Sequence, residues 1–370
     1  MTTALQGLLE RHVANGAVPG VTASLGTARP TVAAAGTLSV GGPPMAPDAV
    51  MRLKSMTKAV TAVAALRLVE AGHLALDDAV DRWLPELSGR PVLTSPTAAL
   101  TDTTPAVRPI TLRHLLTSTS GYGMVVAESP LRRALADSGV DVGVDPRTLP
   151  ADEWLARLTA LPLAFQPGEG WRYHHSFGIL GILVSRVTGR PLHDHLTDDL
   201  LGPLGMDDTG LWAPDAALGR LPASYWHTDT GLEEIEPAGG GTYAGRPPHD
   251  VSHGELVSTV GDYTRFARML ADGGRSAGRQ LLSAEHLRLM TTDQVPAAAK
   301  TPDSFFPGFW DGSGWGFGVG VEKSGRYGWS GGLSTTFFVD PDGTVGVLLT
   351  QVEVGEQTGA LIEEFRASSG

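Results

Sequence analysis

The 370-residue chain contains no cysteine. That absence removes disulfides, thiolate metal sites and cysteine nucleophiles together, and leaves oxygen and nitrogen side chains to carry any chemistry. No apolar run reaches the length of about 18 residues that a bilayer-spanning helix needs. Glu10 and Arg11 fall where a secretory signal would need an unbroken apolar segment, so a soluble cytoplasmic protein without membrane contact is expected. Positive charge is scarce: 28 basic against 40 acidic side chains leave a formal net charge of −12. That balance repels phosphate backbones and argues against nucleic acid as a partner. Lysine itself is rare, with only Lys54, Lys58, Lys300 and Lys323 among the 370 residues, and two of these four stand in one short segment, MRLKSMTKAV.

Glycine is abundant, at 47 residues, but apolar periodicity persists throughout and points to tight turns, not disorder. Leu5, Leu8, Leu9 and Val13 predict a helix over 4–14, and VTASLG and TVAAAGTLSV predict two paired strands after it. Residues 55–73 lack Gly and Pro until Gly72 and form the clearest expected helix, with Ser55 near its start. Residues 87–110 and 121–150 read as long loops over a cleft, the second with a short helical patch at 131–137, and helices are expected at 152–160, 176–188 and 192–201. A glycine-rich loop at 238–254 precedes a helix carrying Tyr263, Phe266, Met269 and Leu270, then another at 283–291. WGFGVGVE, FFVD and TVGVLLTQ are strand-like, before a final helix at 358–367. Strands at both ends imply an α/β fold with one antiparallel sheet built from residues 1–90 and 235–370. A mainly helical subdomain, residues 91–234, is inserted, and the active site is expected in the cleft between them.

Ser55-Met56-Thr57-Lys58 is the sharpest local feature, because a serine at a helix start and a lysine three residues later project from one face. A lysine desolvated in a closed cleft loses its proton and accepts that of the serine hydroxyl, while backbone N–H groups at the helix start hold an oxyanion. In an arbitrary chain the same pattern is an N-cap serine beside a solvated lysine. Further segments decide between the two readings. Residues 51–87, ITLRHLLTSTSG at 110–121, PGEGWRYHHSFGILG at 167–181, LLGPLGMDDTGL at 200–211, GELVSTVGDYTRFARML at 254–270 and YGWSGGLSTTFFVDPDG at 327–343 together resemble the serine β-lactamase-related hydrolases. That group includes class C β-lactamases, DD-peptidases and family VIII carboxylesterases, and the resemblance covers nearly the whole chain.

The resemblance implies a β-lactamase/transpeptidase-like fold, Ser55 as nucleophile, Lys58 as its partner and Tyr173 as the tyrosine of a Y-x-N element. A phenol beside a lysine ammonium is expected to have a lowered pKa and to relay the serine proton. His175 stands where the family often has asparagine, and Trp329-Ser330-Gly331 aligns with the family's K-T-G or H-x-G strand; these four residues are candidate substrate contacts. Indole in place of a cation removes the partner for a substrate carboxylate and favours uncharged esters. The backbone N–H groups of Ser55 and Gly332 are the implied oxyanion hole. Activity through an acyl-enzyme on small esters is expected, without cofactor or metal. An amide hydrolase such as a D-aminopeptidase, a 6-aminohexanoate-oligomer hydrolase or a weak β-lactamase, an acyltransferase, or a non-enzymatic penicillin-binding or sensor module are the alternatives.

Gly328-Trp329-Ser330-Gly331-Gly332 also matches the G-x-S-x-G elbow of α/β-hydrolases. A strand-like run follows it and no histidine occurs after His286, which argues against that reading. His193 with His195, His174 with His175, and His249 with His253 do not present convincing metal-ligand sets. Phe305, Phe306, Phe309, Trp310 and Trp315 lie in a Gly/Pro-broken segment and are expected as core or as the wall of an acyl pocket.

Overall fold

Alternating apolar residues at the two ends of the chain build the sheet. In the computed structural model, which describes residues 2–143, 149–248 and 252–369, seven strands form one sheet. Their order is Ser313–Trp315, Gly320–Glu322, Tyr327–Gly331, Thr335–Val339, Val345–Leu349, Gly20–Gly26 and Thr31–Gly36, and each pairs antiparallel with its neighbour. The two ends of the chain meet where Thr22 lies opposite Leu349 and Gly26 opposite Val345.

Successive strand residues point to opposite faces, so Phe337 and Val347 enter one apolar layer, and Phe338 and Leu348 the other. The terminal helices Thr2–Ala14 and Glu356–Ala367 cover the second layer with Leu5, Leu9, Leu361 and Phe365. Helix Val260–Ala271 covers the first, with Tyr263 and Phe266 at ring-centroid distances of 5.1 and 6.4 Å from Phe337. Helix Thr57–Glu70 has Ala59, Val60, Ala62, Val63, Ala64, Ala65 and Leu66 fully buried. A helix apolar on all sides belongs in the interior, and its start is therefore rigidly placed.

Helices cluster in the middle of the chain at Leu112–Leu116, Pro130–Ser138, Ala151–Thr159, His175–Thr188 and Leu192–Leu196, the last continuing as a π-helical turn, Thr197–Leu201. The expected long loops carry short structure: Pro91–Leu93 pairs with Thr103–Pro105, and Ser129 Oγ caps Pro130–Ser138 by accepting the Arg132 N–H at 3.1 Å. One element departs from the helical expectation for 91–234. Ser224–Thr228 and Gly231–Glu236 form a hairpin, and Tyr225 N–H donates to the Gln351 carbonyl at 2.8 Å while its carbonyl accepts from Glu353 N–H at 2.7 Å. Most of its side chains are solvated, so it has no apolar alternation to announce a strand. Among the described residues no helix is long and apolar enough to cross a membrane.

Strand Tyr327–Gly331 lies directly against the turn that carries Ser55. An added Cβ on Gly331 would sit 2.3 Å from the Leu53 carbonyl oxygen and 2.4 Å from Thr335 Oγ1, whereas one on Gly332 meets nothing within 4 Å. Gly331→Ala is therefore expected to cost roughly 1–3 kcal/mol as overpacking, and Gly332→Ala close to nothing. Thermal midpoints of the two variants measure the contrast, and equal midpoints refute the close-contact assignment.

Candidate active site

Four contacts fasten the turn before helix Thr57–Glu70. Leu53 N–H donates to the Leu256 carbonyl at 2.9 Å, and the Leu53 carbonyl accepts from Thr335 Oγ1 at 2.8 Å. Tyr263 OH donates to the Met56 carbonyl at 2.9 Å, and Thr57 Oγ1 accepts from Leu256 N–H at 3.1 Å. Arg52 is buried beneath, with Nε 2.7 Å from Glu236 and an Nη donating to the Pro222 carbonyl at 2.6 Å. Lys54 is held at φ +50°, a left-handed conformation in a residue that is not glycine. Such strain persists only where the surroundings over-determine it, and functional sites collect it. Ser55 emerges half-buried from a 3₁₀ turn, Lys54–Met56.

Lys58 Nζ lies 3.0 Å from Ser55 Oγ and 4.6 Å from the centre of the Tyr173 ring, and it donates to the His253 carbonyl. Lys58 has no exposed surface. Burial drives its amine down from 10.5 to about 7, with the Glu255 carboxylate pulling the other way. Trp329 Nε1 donates to Tyr173 OH at 2.6 Å. Tyr173 itself is buried, and burial raises its phenol above the ordinary value against the pull of its hydrogen bonds with Ser55 and Trp329. This reverses the expected lowered phenol: desolvation outweighs the neighbouring lysine, whose amine, at about 7, is itself only partly protonated near neutral pH. The phenol thus rests uncharged, and a substantial share of the amine is neutral near pH 7 and able to accept a proton.

The remaining sequence candidates separate. Trp329 packs at 4.6 Å on Trp315 and at 5.5 Å on Tyr173. Gly331 is buried against Leu53, and Gly332 is exposed just past the strand end. Ser330 is exposed on that strand, its Oγ 2.9 Å from Thr336 Oγ1 across the sheet, so it occupies no strand-to-helix elbow. His175 is a correction to the expected substrate contacts: it is fully buried, its Nε2 lies 2.6 Å from the Val140 carbonyl, and its ring stacks on Trp154. As the first residue of helix His175–Thr188 it points into the interior, and His174 takes the half-buried position instead. The aromatic segment also divides. Phe305 and Trp315 are buried behind Tyr173, at 4.9 and 5.9 Å, while Phe306 is 63% exposed beside Phe305.

Several neighbours carry no signal that singles them out in the sequence. His174 adopts φ +89°, its ring 3.8 Å from that of His253. Burial, His253 and Lys58 hold it well below its ordinary value and hence neutral. Glu255 is buried, and Tyr243 OH lies 3.2 Å from Lys54 Nζ. Glu255 is a carboxylate in an otherwise apolar GELV run, and only folding brings its charge close enough to act on the lysine. His249 lies outside the described residues. Among the described residues no group of three or more His, Asp or Glu side chains is arranged to hold a metal ion.

The model of the family described as Beta-lactamase matches residues 5–368. The chain belongs to that family. Protein Rv1367c of Mycobacterium tuberculosis is 37% identical over 315 residues, which is 81% of this chain and 76% of that protein. Esterase EstB of Burkholderia gladioli is 42% identical over 170 residues, 46% of this chain and 40% of that one. The solved structure of "EstCE1, a hydrolase with promiscuous acyltransferase activity" superposes with a TM-score of 0.79 at 25% identity, covering 100% of this chain and 98% of that chain. The β-lactamase-like α/β fold, expected from the sequence, is thereby shown for this chain.

If Lys58 serves as the base for Ser55, covalent labelling of Ser55 by a fluorophosphonate accelerates as pH rises through about 7, where the amine loses its proton. The sign follows from the cation: below that value the protonated amine cannot accept the serine proton. Labelling rates measured across about two units either side test this, and a flat profile excludes Lys58 as base.

Proposed function

We propose that the protein is a serine hydrolase that cleaves small uncharged carboxylic esters through an acyl-enzyme on Ser55. The observation that carries this reading is the Ser55 Oγ to Lys58 Nζ separation of 3.0 Å with the lysine wholly out of water. Neutral Lys58 takes the proton as Ser55 Oγ attacks the ester carbonyl. Backbone N–H groups of Ser55 and Gly332 receive the oxyanion. Tyr173 gives its proton to the departing alkoxide and is reprotonated from Lys58, and Trp329 N–H stabilises the phenolate oxygen in passing. Water then attacks the acyl carbon with the same groups in reverse, Ser55 recovering its proton as the acid leaves.

The preference for neutral substrates rests on Trp329. Its single N–H is engaged by Tyr173, so this position offers a carboxylate no donor. The esterase name carried by EstB and the hydrolase title of EstCE1 support ester cleavage. Transfer of the acyl group to an alcohol is a second reading, favoured by the acyltransferase activity in the EstCE1 title. An exposed Phe306 beside buried Phe305 extends an apolar wall outward from Tyr173 and suits an uncharged acyl chain.

Steady turnover of a short-chain p-nitrophenyl ester, abolished in Ser55→Ala with an unchanged thermal midpoint, is the expected result. A chromogenic cephalosporin should be a far poorer substrate. A single burst without turnover points instead to a binding or sensor module, and preference for the cephalosporin overturns the assignment of substrate class.

Tyr173→Phe and Lys58→Ala should each lower kcat by several powers of ten, and the double variant should be little worse than the poorer single, as members of one proton path are not additive. Multiplication of the two defects in steady-state kinetics would place one residue outside the path.

A further inference from the structure

Resting on the reading of Lys58 as the base, we infer that Glu255 is the positioning residue that sets the pH range in which Lys58 acts, through the 253–255 segment that carries Glu255 and accepts the lysine's hydrogen bond. Lys58 donates to the backbone carbonyl of His253. Two residues on, the Glu255 carboxylate accepts Gly254 N–H at 2.7 Å, and its other oxygen lies 3.5 Å from His253 Nε2. His253 is itself clamped, its ring stacked on Trp154 at 6.0 Å and set against His174 at 3.8 Å. A Cβ on Gly178 would come within 2.8 Å of His253 Nδ1, so this helix glycine makes the room the imidazole occupies. The carboxylate and the amine are therefore fixed to one short, tightly packed loop, each excluded from water.

A buried carboxylate is costly unless a positive or hydrogen-bonding partner compensates it, and a buried amine loses its proton unless a negative charge compensates it. The two requirements meet here. The groups around Lys58 are otherwise unfavourable to a proton: His174 and His175 bring no negative charge, Tyr173 presents a neutral phenol, and Lys54 on the adjoining turn adds positive charge that His174 feels. Glu255 is the group whose charge opposes the loss of the Lys58 proton. Without it the amine would stay neutral to much lower pH, becoming a weaker base, because basicity and proton affinity fall together. With it, Lys58 is near balance at neutrality, able both to take a proton from Ser55 and to hand it on.

The experiment is the pH dependence of kcat/KM for a p-nitrophenyl ester, with the rate of fluorophosphonate labelling of Ser55 as a second readout that needs no turnover. Glu255→Gln, nearly isosteric, is expected to move the acid limb of both profiles to lower pH by about one unit, the low end of what one nearby charge does in proteins. The plateau rate should fall as well. Glu255→Asp, which keeps the charge but withdraws it, should move the limb in the same direction by less, and it stands as the test if the Gln variant does not fold. A rate loss with the limb unmoved in either folded variant means a purely structural role and overturns the inference. Lys58→Ala separates this from failure of the underlying reading: a limb that survives removal of Lys58 shows that the lysine is not the base, whereas a limb lost with Lys58 but indifferent to Glu255 refutes the inference alone.

Discussion

The exclusion of Lys58 from water is the constraint on which the site depends. A lysine in the first turn of an interior helix, with no exposed surface, cannot remain fully charged, and its amine falls from 10.5 to about 7. At 1.36 kcal/mol per pKa unit, that shift costs roughly 4–5 kcal/mol of folding stability near and below neutral pH. The sign follows from a folded value below the unfolded one: the penalty is complete below about 7 and fades as pH rises toward the ordinary lysine value. The run of buried small and branched apolar residues from Ala59 to Leu66 supplies apolar burial that helps offset it. The His253 carbonyl, Ser55 Oγ and the face of Tyr173 then take the positions that a hydration shell would have filled.

How far this was legible in the sequence depends on whether the signal was local. The sheet, the buried helix Thr57–Glu70 and the Ser55–Lys58 spacing at its start follow from periodicity and from three-residue offsets, which the chain displays directly. The hairpin at Ser224–Glu236 was missed because its side chains are solvated and its pairing with residues near Gln351 is remote in sequence. His175 is expected as a substrate contact from its place two residues after Tyr173, but it is the first residue of helix His175–Thr188 and is buried against Trp154, which only the packing shows. Glu255 lies in the GELVSTV segment that carries the resemblance, but nothing in that segment assigns it a role. Its meaning comes from a fold that sets residue 255 beside residue 58.

The direction of the Tyr173 shift needed packing as well as identity. A tyrosine next to a lysine suggests a lowered phenol when the lysine is charged, but a lysine pressed into the same dry pocket loses much of its charge, and burial of the phenol outweighs the rest. Both groups then respond to desolvation first, the amine downward and the phenol upward. Placing two ionisable groups together out of water therefore does not make each activate the other. It disfavours charge on both of them.

Trp329 completes that logic. At this strand position the resembled family often carries a cation, which would favour the phenolate of Tyr173 and also attract a carboxylate. An indole does neither by charge. It supplies one N–H to the phenol oxygen at 2.6 Å and apolar surface to the wall formed with Trp315 and Phe309. The same residue therefore bears on two properties at once: it leaves Tyr173 a proton donor, suited to an alkoxide leaving group, and it leaves the adjoining space without the charge that a carboxylate-bearing substrate would seek. On the proposed reading, ester chemistry and neutral-substrate preference are then linked through this single side chain, and a change at this position is expected to disturb both.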